Sequence, residues 1–260
     1  MEVHAHTHTA RKKWTHYFWE FLMLFLAVFC GFLAEYQLEH KIEKDREKVY
    51  MKAMVEDLKK DTANINAAVA GNHIFINSLD TLLDLISNPQ PDAGYQRKIF
   101  IYSLKNTYLF MTIQFSELTL SQLKYSGGFR LIKNRDVANS IIQYALGAEG
   151  CKLDYNFLIQ YYHVNEGSHK RLFNMHLARK AFKAFEKNRS TVFLPEKSFE
   201  PLVDEGTYLD DKDPELLSAY FDDILYYQTT LSNVTSSIAD QKKAADTLIQ
   251  LIKKEYRIKD

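Results

Sequence analysis

The pattern of hydrophobic and polar positions begins with one long apolar run close to the N-terminus. Residues 17–34 contain a single charged side chain, Glu20, and aromatic residues lie towards both ends of the run. As a helix, residues 14–35 would extend about 31 Å, close to the ~30 Å hydrocarbon core of a bilayer. A cleaved signal peptide is the main alternative, but the run does not end in a small-residue cleavage pattern. The pattern predicts an uncleaved transmembrane helix over residues 14–36.

The charges beside the run indicate its orientation. The triplet Arg11, Lys12 and Lys13 directly precedes the run, and lysine and arginine are enriched on the cytoplasmic side of membrane helices. Basic residues also follow the run, but long domains cross membranes largely regardless of their charge. We therefore predict a short cytoplasmic arm over residues 1–13 and a single-pass protein of the bacterial inner membrane. The bulk of the chain is then periplasmic.

Beyond the span, the hydrophobic pattern changes to that of helices packed in water. Residues 37–50 are rich in charges of both signs and predict a solvated helical stalk. Two stripes with alternating spacings of four and three residues follow, one from Met51 to Ile86 and one from Leu217 to Ile252. Two such helices are expected to pack on each other. The alternative is that the stripes pair between chains as an oligomeric coiled coil.

Turn signals divide the remainder of the chain. The pattern predicts helices over residues 96–113, 116–125, 137–146 and 151–188, and a final helix that begins at Pro214 after the cap Asp213. Residues 190–213 are predicted to form a loop. Residues 51–260 therefore read as an α-helical bundle domain. The predicted fold class is all-α, with an N-terminal single transmembrane helix continuous with a long helix of an extracytoplasmic helical bundle.

Composition excludes some classes of protein. The 260 residues carry 33 basic and 33 acidic side chains, so the chain lacks the positive charge that marks nucleic-acid binding. Cys30 lies inside the apolar run and Cys151 lies far from it, which makes a disulfide between them implausible. No cofactor motif is present, and none is predicted.

Three blocks in a fixed order resemble a known family. They are the apolar helix ending in GFLAEYQLEH with the run EKVYMKAMVEDLKKD, the central stretch from Ser121 to Tyr144, and the C-terminal heptad helix. Together they resemble the single-pass membrane proteins of Bacteroidota bacteria that are known only as a domain of unknown function. The resemblance implies a bacterial envelope location and an α-helical domain. It implies no activity, ligand or catalytic residue.

Two groups of titratable residues are candidates for chemistry near the span. Alternating histidines in a flexible arm can bind Zn²⁺, Ni²⁺ or Cu²⁺, so His4, His6 and His8 are weak metal-site candidates. A short tail gives such ligands no scaffold, and a disordered arm is the simpler interpretation. Glu20 and Glu35 are candidates for a membrane function, because ionisable groups in membrane helices often mark ion or proton pathways. The simpler interpretation places the two carboxylates at the two membrane interfaces.

A glycine turn carries the remaining candidates. The turn at residues 126–128 is followed by Arg130, Lys133 and Arg135, which are weak candidates for a ligand site that binds small anions. The segment lacks the phosphate-loop pattern, so a structural turn with one glycine at positive φ is the simpler interpretation. No metalloprotease, nucleophile or acid-base motif is present. The chain is therefore predicted not to be an enzyme.

These features favour an interaction or scaffolding module anchored in the bacterial envelope. Its predicted partners are the lipid bilayer and either further copies of the chain or other envelope membrane proteins. One alternative is a sensory or regulatory ectodomain that signals through its transmembrane helix to a partner. Another is an ion-coupled membrane subunit that uses Glu20.

Overall fold

The regular structure of the described residues is helical. The computed structural model describes residues 14–89, 93–106, 110–185, 208–209 and 213–259. The helices are α1 (Trp14–Ser87), α2 (Ala93–Asn106), α3 (Leu118–Tyr125), α4 (Arg135–Leu172), α5 (Met175–Phe185) and α6 (Pro214–Tyr256), with a 3₁₀ turn at Gly128–Leu131. Within these residues the sole β-type pairing is an isolated bridge between Phe173 and Leu209. The predicted all-α class is confirmed for the part of the chain that is described.

Helix α1 contains the apolar run. It has 74 residues and is about 110 Å long at 1.5 Å per residue. Among the described helices, α1 alone is long and apolar enough to cross a membrane, and none of its most apolar window is buried against the rest of the chain. Large side chains such as Trp19, Leu24 and Val28 are exposed there. An apolar surface of this extent is typical of contact with lipid or with another protein.

Three long helices form the core. Met51 of α1 lies in one hydrophobic cluster with Ile141 of α4 and Ile252 of α6. At the far end of α1, a second cluster contains Leu158 of α4 and Leu216 of α6. Helix α4 therefore runs parallel to α1, and α6 runs antiparallel to both. The C-terminus of α6 returns to the end of the core that lies nearest the apolar run.

Both predicted stripes lie on buried faces. In α6, every predicted position from Tyr220 to Ile252 is buried, while Leu217 is half-buried and its neighbour Leu216 is buried instead. In α1, the buried stripe positions are Met51, Val55, Leu58, Ile65, Asn72, Leu79, Leu83 and Ile86. The heptad spacing therefore identified the core-facing sides of both helices correctly.

The connection between α2 and α3 differs from the prediction. The helix predicted over residues 96–113 ends at Asn106, and residues 110–117 are not helical. Side chains of α1 hold this segment instead. Asn72 Oδ1 accepts a hydrogen bond from the Met111 amide at 2.6 Å, and Asp61 Oδ1 accepts one from the Ser116 amide at 2.8 Å. These bonds satisfy backbone groups that a helix would otherwise pair internally, so the segment passes along α1 without forming a helix.

Helix boundaries around α4 also differ from the prediction. The two helices predicted over residues 137–146 and 151–188 are joined, because α4 passes through Gly147 and Gly150 without a break. Helix α4 begins at Arg135, two residues before the predicted start at residue 137, and the side chain of its cap Asn134 accepts hydrogen bonds from two backbone amides of the first turn. The predicted long helix instead breaks after Leu172.

A second asparagine explains that break. Asn174 Oδ1 accepts a hydrogen bond from the Leu177 amide at 3.1 Å and so caps the start of α5. The predicted loop over residues 190–213 lies almost entirely outside the described residues. The predicted cap of α6 is confirmed, since Asp213 Oδ1 accepts a hydrogen bond from the Glu215 amide at 3.0 Å and Pro214 follows in the first turn.

Candidate functional site

Glu20 lies in the first turns of α1 next to a histidine. His16 Nε2 and Glu20 Oε1 are 3.2 Å apart, and both side chains are about half exposed. The two residues are one helical turn apart, so their side chains share a face. This is an ion pair when His16 is protonated. The pair lies at the N-terminal end of the apolar run, which is the end that is closer in sequence to the basic triplet at residues 11–13.

A groove opens beside the stalk at the other end of the run. We call it the stalk groove; it has a volume of about 880 Å³ and lies between residues 35–50 of α1 and the turn at residues 126–131. Leu38, Ile42 and Val49 line its α1 wall. Tyr50 closes one side, because its hydroxyl lies 3.4 Å from Ser126 Oγ. The groove is therefore partly apolar and open to a partner.

The charges of the stalk groove are unequal. Four carboxylates line it (Glu35, Glu39, Glu43 and Asp45), against the guanidinium groups of Arg46 and Arg130. Glu43 also lies 3.6 Å from His40 Nδ1 on its own helix. The local charge is therefore negative, which disfavours an anionic ligand in the groove.

The predicted basic candidates do not converge. Arg130 is exposed and lines the stalk groove, whereas Lys133 is held by its backbone, whose amide donates to Glu47 Oε1 at 2.9 Å. Arg135 is exposed at the first position of α4. The structure thus places Arg130 and Glu35 in one groove and leaves the other two outside it. The candidates His4, His6 and His8 lie outside the described residues.

The glycine turn has the structural role predicted for it. Gly127 has φ of 70°, a left-handed conformation that glycine adopts without strain. Gly128 is close to Leu123, and a Cβ there would lie 3.2 Å from the Leu123 Cα. The two glycines therefore shape the far wall of the stalk groove.

Buried polar side chains on α1 bind the connection between α2 and α4. Glu47, Asp61 and Asn72 are almost fully buried, and each accepts a hydrogen bond from a backbone amide of the connection between α2 and α4. Glu47 Oε1 also accepts from the Tyr256 hydroxyl at 2.6 Å, which ties the end of α6 to the base of the core. Of these three residues, Asn72 occupies a position of the predicted stripe, whereas Glu47 precedes the stripe and Asp61 is not among its positions, so the periodicity did not identify those two.

Two of these contacts shift the pKa of the groups involved. Burial raises the pKa of Asp61, although hydrogen bonds from Tyr144 and Ser116 oppose the shift. Burial, and then the hydrogen bond to Asp61, raise the pKa of the Tyr144 hydroxyl. Burial and the contact with Glu47 raise the pKa of Tyr256 in the same way. Asp61 and Tyr144 are buried between the packed helices, and Tyr256 is half-buried at the end of α6, so these contacts join the helices to one another.

Comparison with known proteins adds no further assignment. No protein family, no curated protein and no solved structure matches this chain. The resemblance to the Bacteroidota family stays a prediction. The geometry of α1 and of the stalk groove is therefore the basis for the function proposed below.

Proposed function

We propose that this chain is a membrane-anchored helical-bundle protein of the bacterial envelope that acts as an interaction or scaffolding module without catalytic activity. The observation that supports it most directly is the dual composition of α1. Its first part exposes large apolar side chains, while residues between Met51 and Ile86 contribute to all three hydrophobic clusters of the core. One helix would then serve both as anchor and as the central element of the domain.

The anchor and the domain act as one rod in this proposal. The span at residues 14–36 continues through the stalk at residues 37–50 into the bundle, with the N-terminal arm in the cytoplasm and the bulk of the chain in the periplasm. A rigid helix extending from a bilayer holds the domain at a set height and orientation. A scaffold needs this property to present the same surface to each partner.

We propose binding as the activity because the stalk groove exposes apolar side chains. Val49 in its wall is 65% exposed and Leu38 is 59% exposed, although both lie outside the apolar run. Apolar side chains grouped in a groove and rimmed by charges are typical of protein contact surfaces. The sequence also lacks every motif that would supply a nucleophile or an acid-base pair.

Site-specific photo-crosslinking in membranes tests the proposal. A crosslinking amino acid at Val49 is expected to trap protein partners in cells that express the full chain. Leu153 is the matched control, since it is 68% exposed and apolar but lies on α4, outside the groove. Products at Val49 that are absent at Leu153 support an interaction module. Equal products at both positions, or none at either, contradict it.

Membrane anchoring is tested separately by extraction. The full chain is expected to stay in the membrane pellet through alkaline carbonate treatment and to be released by detergent. Protease added from the periplasmic side is expected to degrade the helical domain. Protection of the domain from this protease would show that it lies in the cytoplasm instead. Release of the chain by carbonate would contradict the proposal that the scaffold is anchored in the membrane.

A further inference from the structure

We propose that the stalk groove is occupied by the stalk of a second copy of this chain, in a parallel pair of α1 helices. The inference deepens the proposed function and rests on it, because membrane insertion in one orientation brings identical faces together at identical depth. The seam of the pair consists of Leu38, Ile42 and Val49. Three independent features of α1 point to a second copy as the occupant.

The first feature is the apolar seam itself. Leu38, Ile42 and Val49 are 59%, 43% and 65% exposed, and they are four and seven residues apart. At 3.6 residues per turn, this spacing places them on one face of α1 over about 16 Å. The face lies opposite the core-facing side that carries Glu47 and Met51, both of which are buried. The packed domain therefore leaves the seam accessible.

The second feature is the continuation of this face into the apolar run. Ala27, Gly31 and Ala34 fall on the same side of the helix as Leu38, by the same helical geometry. A Cβ built on Gly31 would meet no atom within 4 Å, so packing within the chain does not require a glycine there. Small residues on a membrane helix allow a second helix to approach closely.

The third feature is charge complementarity across the seam. Helical geometry places glutamates on one flank of the seam and lysines on the other; these are Glu35, Glu39 and Glu43, and Lys41, Lys44 and Lys48. The three lysines are exposed. In a parallel pair with twofold symmetry, the glutamate flank of each helix faces the lysine flank of its partner.

The same symmetry accounts for the one carboxylate within the seam. Asp45 lies between Ile42 and Val49 on the exposed face. Arg46 lies on the glutamate flank, one residue further along the helix. Asp45 is displaced towards the lysine flank. Because the glutamate flank of each helix faces the lysine flank of the other, Arg46 of each copy lies on the same side of the pair as Asp45 of the other copy. A face that is apolar in the middle, acidic on one side and basic on the other is complementary to itself, which favours a second copy over an unrelated partner.

Disulfide crosslinking of the full chain in membranes tests the pairing. The background is Cys30→Ser, which leaves buried Cys151 as the remaining native thiol. Leu38→Cys, Ile42→Cys and Val49→Cys are each expected to give a product of twice the chain mass under mild oxidation. His40→Cys is the matched control, two residues from Leu38 but on the opposite side of α1, and is expected to give no such product.

A charge exchange tests the flanks in the Val49→Cys background. One copy carries Glu39→Lys and Glu43→Lys, and a differently tagged copy carries Lys41→Glu and Lys44→Glu. Each copy expressed alone is expected to lose the crosslinked pair, because both of its flanks then have the same sign. The two copies expressed together are expected to regain it as a mixed pair, which shows that each altered chain still folds and inserts.

The outcomes separate the inference from the function on which it rests. Equal crosslinking at His40→Cys and Leu38→Cys, or products that contain a different protein in place of a second copy, overturns the paired stalk. So does a failure of the mixed pair to form. If the photo-crosslinker at Val49 still traps other proteins, the scaffold stands without self-pairing. If the chain traps no protein and is released from the membrane by carbonate, both the paired stalk and the membrane-anchored scaffold are contradicted.

Discussion

The Tyr144 hydroxyl donates a hydrogen bond to Asp61 Oδ2 over 2.7 Å, which joins α4 to α1 inside the core. The same carboxylate accepts a bond from the Ser116 amide through its other oxygen, at 2.8 Å. One side chain of α1 therefore connects two distant segments of the chain. The Tyr144 backbone is bound as well, since its carbonyl accepts a hydrogen bond from Gln241 Nε2 of α6 at 2.7 Å.

Removing the Tyr144 hydroxyl is expected to destabilise the fold. Tyr144→Phe leaves one oxygen of a buried carboxylate without its donor, which costs about 1–3 kcal/mol of the free energy of unfolding. Denaturant unfolding of the full chain in detergent measures the loss. Tyr125→Phe is the control, because Tyr125 is 88% exposed and is expected to change little. Equal effects of the two substitutions would show that the Asp61 bond contributes nothing.

The charge on Asp61 gives a pH dependence of stability. Because burial raises the pKa of Asp61, the folded state binds its proton more tightly than the unfolded chain does. The stabilisation from this group is complete below the unfolded pKa, about 3.9, and is lost as the pH rises through the raised folded pKa.

Asp61→Asn is expected to remove this dependence. The free energy of unfolding of the variant relative to the unaltered chain should rise as the pH increases from about 4 through the raised pKa of Asp61 in the folded state, because only the unaltered chain loses stability by ionising Asp61. Parallel denaturant titrations at several pH values measure the difference. A difference that is constant over this range would show that Asp61 has the same pKa in both states.

Two glycines of α4 offer a matched pair of substitutions. A Cβ at Gly147 would collide with the Gln241 side chain, whereas a Cβ at Gly150 would meet no atom within 4 Å. Alanine favours a helix interior over glycine by about 0.5–1 kcal/mol, so Gly150→Ala is expected to stabilise the chain by that amount. Gly147→Ala gains the same helix propensity but displaces Gln241.

The cost of displacing the Gln241 side chain should exceed the gain in helix propensity. Overpacking costs about 1–3 kcal/mol, so Gly147→Ala is expected to be less stable than Gly150→Ala by about that amount. Thermal or denaturant unfolding of the two variants measures the difference directly. Equal stabilities would mean that the Gln241 side chain moves aside without losing its bond to the Tyr144 carbonyl.

Glu47 holds the base of the core through two donors. Glu47→Ala removes the acceptor of the Lys133 amide, and we expect faster hydrogen exchange at that amide. Tyr256→Phe removes only the second donor to Glu47, so it should leave exchange at Lys133 much slower than Glu47→Ala does. The Arg130 amide is bonded to the Gly127 carbonyl at 3.2 Å and serves as the internal reference. Unchanged exchange at the Lys133 amide in Glu47→Ala would show that the hydrogen bond to Glu47 does not protect this amide.

Part of the candidate site could be predicted from local pattern. The seam residues Leu38, Ile42 and Val49 are visible in the sequence, but nothing local distinguishes an exposed apolar stripe from a buried one. Arg130 and Glu35 were each proposed as candidates for separate reasons. Their placement in one groove depends on how the turn at residues 126–131 packs against the stalk, and the hydrogen bond from the Lys133 amide to Glu47 joins these two distant segments.

The sequence by itself determined the helical class, the apolar run, the core-facing sides of α1 and α6, and the cap at Asp213. These features depend on periodicity and on side chains within a few residues of each other, so they are encoded locally. The tertiary structure alone decided that residues 110–117 are not helical and that α4 passes through Gly147. There, groups from remote helices compete with local preference: Asn72 and Asp61 bind backbone amides that a helix would use, and Gln241 packs against Gly147, where a side chain would not fit.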